Sequence, residues 1–253
     1  MHATRYQSWW KMMMANLTRD HFFNGNVVLT QPKSGYRFSI DAVLLSHFVD
    51  PSPAETILDL GTGCGVIPIM LAFRHPDIHL VGVEIQRPLF ELACRNVEDN
   101  QMTHRVHILR RDMASLTVDD IEKPVDRVVA NPPYRQLDSG RINADNQKAV
   151  ARHELRIDLG RLLLTARRLL NKSGRLNIIY PSLRMVDLLS AMRSSGLEPK
   201  LLTMIHSNPT TSARLIAVEA VKGGRPGLAA TPPFYIYKAD GSYTKTVAAM
   251  FAE

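Results

Sequence analysis

Short aliphatic and β-branched runs recur along the chain, separated by stretches whose apolar residues return every three or four positions. TILDL (56–60), HLVGVE (79–84), VHILRRD (106–112), DRVVAN (126–131) and RLNIIY (175–180) have the length and composition of strands. GVIPIMLAFRH, between the first two, reads as a helix. So does RPLFELACRNVEDNQ after the second, where Leu89, Leu92, Ala93, Asn96 and Val97 fall near one face. NQKAVARHELRIDLGRLLLTARRLL predicts a longer helix that stops at NKSG, and PSLRMVDLLSAMRSSG predicts another. Strands alternating with helices imply βαβ units and a mostly parallel sheet. PKLLTMIHS and ARLIAVEAVK then follow with no room for a helix between them, so they pair antiparallel. The expected fold is an α/β sheet of seven strands, mostly parallel, closed by a C-terminal antiparallel hairpin.

Such open sheets bind ligands at the carboxyl ends of their strands, where strand order reverses. That directs attention to four strand ends. Asp59 ends the first run, and Gly61, Gly63 and Gly65 follow it before a helix. Glycines there let backbone approach a ligand without a Cβ in the way, although a glycine turn after a strand is also a common structural device. The spacing is neither the G-x-G-x-x-G of dinucleotide binders nor a P-loop. Glu84 ends the second run, 25 residues after Asp59, where a carboxylate can accept from both hydroxyls of a ribose. Asp112 ends the third, placed to accept from an exocyclic amine. The fourth ends on Asn131-Pro132-Pro133-Tyr134. Proline offers no N–H to a ladder and holds its predecessor extended, so the pair stops the strand and stiffens the loop that carries Asn131 and Tyr134.

Composition narrows the class. The chain has 253 residues, 45% hydrophobic and 22% charged, enough for a substantial core in one enlarged domain. No apolar run approaches the roughly 20 residues of a membrane helix, and the N-terminus has no secretory h-region. Two cysteines, Cys64 and Cys94, build no disulfide framework, so a reducing cytoplasm is the default location. The histidines and cysteines show no zinc spacing, and no metal is expected. The net charge is +7, and 135–175 alone holds ten Lys/Arg against four Asp/Glu. Such a segment is either a solvated face or a phosphate-facing surface. Its place directly after Tyr134 favours the second, with Arg135, Arg152, Arg156 and Arg168 as RNA contacts. His153 on its helix reads as structural, and Trp9–Trp10 as part of a flexible extension over 1–16 ahead of one domain at 17–253. Nothing sets an oligomeric state; a monomer is the simpler expectation.

LDLGTGCG, VGVE, RRD and NPPY, in this order and spacing, resemble the class I methyltransferases that use S-adenosylmethionine, and so imply their Rossmann-like fold. The NPPY variant resembles those that methylate a planar nitrogen. LTRDHFFNGNVVLTQPKSGYRFSIDAVLLSHFV (17–49), ARHE (151–154) and SARLIAVEAVKGG with PPFYIYKADGSYT are similar to the bacterial adenine-N6 methyltransferases of the anticodon loop of a valine tRNA. The likeness runs from about Leu17 to the C-terminus. It implies that Asp59 and the glycine loop hold the methionine end of the cofactor, Glu84 the ribose and Asp112 the adenine. It also implies that Phe38 and Asp41, in a stretch otherwise read as an amphipathic helix capped by Ser39, lie over the methionine portion. Asn131 and Pro132 would take the two hydrogens of the target amine, and Tyr134 would stack on the base.

Other readings share some of these motifs. Protein glutamine-amide methyltransferases also carry NPPY, but usually after a separate helical domain, whereas only 58 residues precede Asp59 here. Guanine-N2 methyltransferases of ribosomal RNA more often have Phe or Trp where Tyr134 stands. A non-catalytic RNA-binding module would be expected to have lost Asn131 or the glycine loop, and both are intact.

Overall fold

A computed structural model of the chain describes residues 16–33, 37–132 and 159–252. Tyr134, Arg135, Arg152, Arg156 and the first half of the long helix lie outside the described residues. Contacts gather the chain into two compact units, Met1–Asp112 with Tyr243–Glu253, and Met113–Ser242.

The first unit opens with a hairpin that the apolar periodicity does not predict. Strands β1 (Leu17–Phe22) and β2 (Val27–Pro32) pair antiparallel. β1, LTRDHF, has no apolar alternation to announce it. Helix α1 (Ile40–Phe48) follows, its Ser39 Oγ accepting from the N–H of Asp41 at 3.3 Å. Then come β3 (Thr56–Leu60), helix α2 (Val66–Arg74), β4 (His79–Glu84), helix α3 (Arg87–Asp99) and β5 (Val106–Arg110). The three strands are parallel, as their alternation with helices predicts, and lie in the order β3-β4-β5. β5 stops two residues earlier than expected, so Asp112 stands just off the strand. The C-terminal segment returns as a helix not predicted from sequence (Lys245–Ala252). It packs on α1 and on the hairpin turn, where Asn24 Nδ2 donates to Ala252 O at 2.9 Å. An aromatic row binds these pieces together. Phe251 stacks on Phe22, and Phe22 lies 5.8 Å from Phe38.

Two asparagines join the hairpin to the rest of the unit. In an antiparallel pair, alternate residues turn their N–H and C=O away from the partner strand. On β2 those residues are Val28 and Thr30. Asn96, fully buried on α3, accepts from Thr30 N and donates to Thr30 O, both at 2.9 Å. Its Nδ2 donates again to Cys64 O at 2.8 Å, in the glycine loop. One turn on, Asn100 makes the same pair of bonds to Val28, at 2.9 and 2.8 Å. The helix thus completes the open edge of β2 with side-chain amides.

The second unit contains β6 (Val125–Ala130), a helix whose described part is 159–169, β7 (Leu170–Pro181), helix α4 (Met185–Ser194), β8 (Leu197–His206) and β9 (Ala213–Lys222). β6 and β7 are parallel, and β9 runs antiparallel to both β7 and β8. With the first unit's three, all seven expected strands are present. β10 (Ala229–Ala230) and β11 (Phe234–Tyr235) add short parallel pairings to β8. NKSG, ahead of which the helix ends as expected, continues directly as strand. It is a bulge within β7, where the register moves from Val125↔Leu170 to Arg127↔Arg175. Arg127, buried on β6, bonds to Asn177 Oδ1 at 2.8 Å and pairs with Glu219 at 3.1 Å, which offsets the cost of burying its charge across three strands.

Asn96→Ala would leave the Thr30 N–H, the Thr30 carbonyl and the Cys64 carbonyl without partners. At about 1–3 kcal/mol for each buried orphan, we expect a loss of about 3 kcal/mol or more in urea unfolding. Asn100→Ala, at a part-buried position, should cost clearly less. A loss below about 1 kcal/mol for Asn96→Ala would show that the hairpin is held by its apolar contacts alone.

Candidate active site

The glycine loop is built by two short connections from β4. Gly61 N and Thr62 N both donate to Val83 O, each at 2.9 Å. The chain then turns through Gly61, Gly63 and Gly65, whose φ angles of +80°, +60° and +84° lie in the region glycine enters without strain. Room for the loop comes from Gly82. A Cβ there would fall 2.9 Å from Thr62 Oγ1 and 2.8 Å from Ile108 Cδ1. A glycine inside a strand often marks such a close approach. At Gly61, by contrast, a Cβ would meet no atom within 4 Å, so that face of the loop is open.

Glu84 fastens the loop from the next strand end. Its Oε2 accepts from Gly63 N at 3.0 Å and its Oε1 from Gln86 N at 2.8 Å. Burial raises the pKa of this carboxyl, and the N–H groups of Gln86, Gly63 and Ile85 work against that rise. Each oxygen retains a further acceptor site, enough to take the two hydroxyls of a vicinal diol.

Asp59 is different. It is 1% exposed, and neither carboxylate oxygen meets a hydrogen-bond partner among the described residues. Burial pushes its pKa up to about 7, and the charge of Glu84 adds to the shift. The Thr62 hydroxyl beside it acts the other way, although Thr62 Oγ1 closes no hydrogen bond of good geometry. A buried carboxyl with empty lone pairs next to an open glycine loop suits a ligand that brings a cation or N–H donors. The sequence pattern singles out Asp59 but not Thr62 or Gly82. Their signals were a hydroxyl between two glycines of the loop and a glycine inside an apolar strand.

Phe38 and Asp41 sit where the hairpin passes the chain to α1. Phe38 N donates to Gln31 Oε1 at 3.1 Å, and Gln31 Nε2 donates to Asp20 Oδ2 at 2.5 Å. Gln31, buried and without a signal in the sequence, therefore places the backbone of Phe38. Asp112 is exposed beyond β5. All these residues belong to the first unit. In the second, Asn131 and Pro132 follow directly on β6, half-buried, as the proline pair predicts. Arg168 donates from Nη2 to Ala114 O at 3.2 Å and Leu116 O at 2.7 Å, so its guanidinium already ties down a loop of its own unit. Among the described residues, no group of three or more acidic, His or Cys side chains is arranged to hold a metal.

Residues 39–192 match the family described as the methyltransferase small domain. A tRNA1(Val) (adenine(37)-N6)-methyltransferase of Porphyromonas gingivalis is 31% identical over 197 residues, covering 76% of each chain. Another of the same name, from Pedobacter heparinus, is 30% identical over 85% of this chain and 89% of its own. The chain belongs to the tRNA1(Val) (adenine(37)-N6)-methyltransferase family. A solved structure of a predicted O-methyltransferase from Agrobacterium tumefaciens superposes with a TM-score of 0.66 at 23% identity, over 83% of this chain and 94% of its own. The fold is accordingly the Rossmann-like class I methyltransferase fold. In this methyltransferase the carboxylates of Asp59 and Glu84 are buried, and no described helix is long and apolar enough to cross a membrane.

The pKa of Asp59 gives a test with a definite sign. A carboxyl raised from 3.8 to about 7 by folding favours the folded state below pH 4, and that contribution is lost as pH rises through 7. His47, lowered to about 4 chiefly by burial, contributes the opposite slope between pH 4 and 6.5. Comparing Asp59→Asn with the parent cancels that contribution. Without cofactor, the variant should gain stability relative to the parent as pH rises from 4 to 8, by up to about 1.4 kcal/mol per pH unit between the two pKa values. A stability difference independent of pH in chemical denaturation would show that Asp59 is ionised and stabilised in the fold.

Proposed function

We propose that this protein transfers a methyl group from S-adenosylmethionine to N6 of an adenine in the anticodon loop of a tRNA, the valine tRNA and position 37 named for its relatives being the intended target. The observation that carries the reading is Asp59, a buried carboxylate with both oxygens unpartnered beside a glycine loop, in a chain of this family. When bound, the cofactor supplies an electrophilic methyl group on a sulfonium sulfur. Asp59 would accept from its amino group, with Thr62 and the loop glycines 61, 63 and 65 alongside. Glu84 would use its remaining lone pairs for the ribose hydroxyls, Asp112 would accept from the adenine amine, and Phe38 and Asp41 would cover the methionine part.

On the substrate side, an aromatic amine is a weak nucleophile because its lone pair is delocalised into the ring. The side-chain oxygen of Asn131 and the carbonyl of Pro132 would accept its two hydrogens and draw the nitrogen towards tetrahedral geometry. The same oxygens would stabilise the positive charge that grows on N6 as its lone pair takes the methyl carbon and the C–S bonding pair stays with the sulfur as a neutral thioether. The proton leaves to solvent afterwards, so no general base is needed. Tyr134 would stack on the base, worth roughly 1–3 kcal/mol, and a base already in a loop is cheap to extrude. Arg135, Arg152 and Arg156 would meet phosphates. Arg168 would do so only with what its bonds to Ala114 and Leu116 leave over. A tRNA substrate makes the cytoplasm the place of action.

Asn131→Ala should lower single-turnover methylation on the order of 10²–10³-fold while cofactor and RNA affinity hold, because the acceptor acts mainly in the transition state. Tyr134→Ala should weaken RNA capture, and Tyr134→Phe should be mild. The assay follows N6-methyladenosine in purified tRNA at saturating cofactor. Wild-type turnover in Asn131→Ala, or methylglutamine as the product, would end this reading.

Charge reversal at Arg152 and Arg156 should weaken tRNA binding and flatten its salt dependence. The slope of log affinity against log salt should fall by about 0.9 for each phosphate no longer neutralised. Arg168→Glu should in addition lower the unfolding midpoint, since it releases two loop carbonyls. A salt slope equal to wild type in the Arg152/Arg156 variant would place the RNA elsewhere.

A further inference from the structure

Asp59 has a counterpart in the second unit. Arg184 has both terminal guanidinium nitrogens, Nη1 and Nη2, buried without a hydrogen-bond partner among the described residues. It ends a 3₁₀ turn, Ser182–Arg184, that leads from β7 into α4. Its Nε faces a counter-ion, Asp187 Oδ2, at a long 3.4 Å. The guanidinium carbon lies 5.9 Å from the centroid of the Tyr180 ring, and the side chain is 16% exposed. A guanidinium is charged at any ordinary pH, and N–H groups withdrawn from water without acceptors are costly. Cation–π attraction to Tyr180 orients the group but supplies no oxygen to those nitrogens. The planar fork they form matches two oxygens of one phosphate.

Topology puts this group at the same sheet edge as the residues that would receive the target amine. β6 and β7 are parallel with Ala130 next to Ile178, so Asn131 leaves the sheet level with Ile179. β7 continues to Pro181 before the turn that carries Arg184. Adjacent strands are about 4.8 Å apart. The same edge carries the exposed Arg214 at the start of β9, and the rings of His206 and Tyr235, 5.4 Å apart. A cationic fork and stackable rings along one edge are what a single nucleic-acid strand meets in its binding proteins.

We propose that Arg184 binds a backbone phosphate of the RNA substrate next to the nucleotide that is methylated, and so sets which base reaches Asn131. The proposal rests on the RNA reading of the function. Phosphate contacts of this kind position a strand without reading its sequence. Arg184 is then a positioning residue.

The test is a scan of single methylphosphonate substitutions through the loop of a synthetic anticodon stem-loop, with binding measured for wild type, Arg184→Gln and Arg184→Lys. Cofactor affinity and melting temperature serve as folding controls. Removing one charged, bidentate contact should cost roughly 10- to 100-fold in affinity. One methylphosphonate position should weaken wild type by that factor, and Arg184→Gln should weaken unmodified RNA by the same factor yet be indifferent at that position. Arg184→Lys, which keeps the charge without the fork, should fall between, and it carries the test if Arg184→Gln does not fold. Wild-type affinity in Arg184→Gln, or an equal loss at every position, overturns the proposal. So does a melting temperature raised by inorganic phosphate in wild type alone with RNA affinity unaltered by the substitution, which assigns the site to a free anion. A wild-type protein that binds no tRNA overturns the functional reading as well.

Discussion

The buried carboxamide of Asn96 holds the first unit together. A primary amide has one acceptor oxygen and two N–H donors, and here all three functions are used inside the protein, on Thr30 N, Thr30 O and Cys64 O. Those partners come from an edge strand and a glycine loop, two segments whose backbone groups would otherwise be buried without satisfaction. The loop's path follows from this. Cys64 is held by Asn96 from one side while Gly63 is held by Glu84 from the other. Around these two anchors, over 61–65, the chain takes three left-handed residues in five positions, and glycine supplies each of them.

That rigidity has an energetic consequence at Asp59. A carboxylate could relieve its burial by drawing a backbone N–H towards it, as Glu84 does. The neighbouring loop N–H groups are already committed, Gly61 and Thr62 to Val83 and Gly63 to Glu84. Among the described residues Asp59 is therefore left without a partner, and burial raises its pKa to about 7. Two carboxylates one strand apart thus differ in role. Glu84 builds the loop with half of its capacity, while none of the capacity of Asp59 is used among the described residues. Arg184 repeats the pattern with opposite sign in the second unit, its terminal nitrogens left unmatched where a strand ends. Functional sites are where a fold tolerates such unmet polar groups, since the ligand completes them.

Much of this organisation was legible from hydrophobic pattern alone. Strands buried in a sheet read as short, near-continuous apolar runs whether their partners are parallel, as for β3 to β7, or antiparallel, as for β8 and β9, so all seven announced themselves. Asn131-Pro132 stopped β6 where proline chemistry says it must. The hairpin of β1 and β2 was not legible, because its outer edge is satisfied by Asn96 and Asn100, about 70 residues away, and not by alternation of its own. The C-terminal helix was missed for a similar reason: it is short, and it is held by Phe22, Asn24 and His47 from the start of the chain.

The sequence by itself determined the strand-helix alternation, the glycine loop, the row of strand-end acids and the stop after Ala130, because each depends on local stereochemistry or on the period of apolar residues. Tertiary structure alone decided which polar groups are left over. Asp59 and Glu84 look alike as strand-terminal acids, and Arg168 and Arg184 look alike as basic residues on helical segments. Glu84 and Arg168 are occupied by backbone from elsewhere in their units, and Asp59 and the fork of Arg184 are not. Hydrogen-bond satisfaction is a property of three-dimensional neighbours, and no spacing along a chain encodes it.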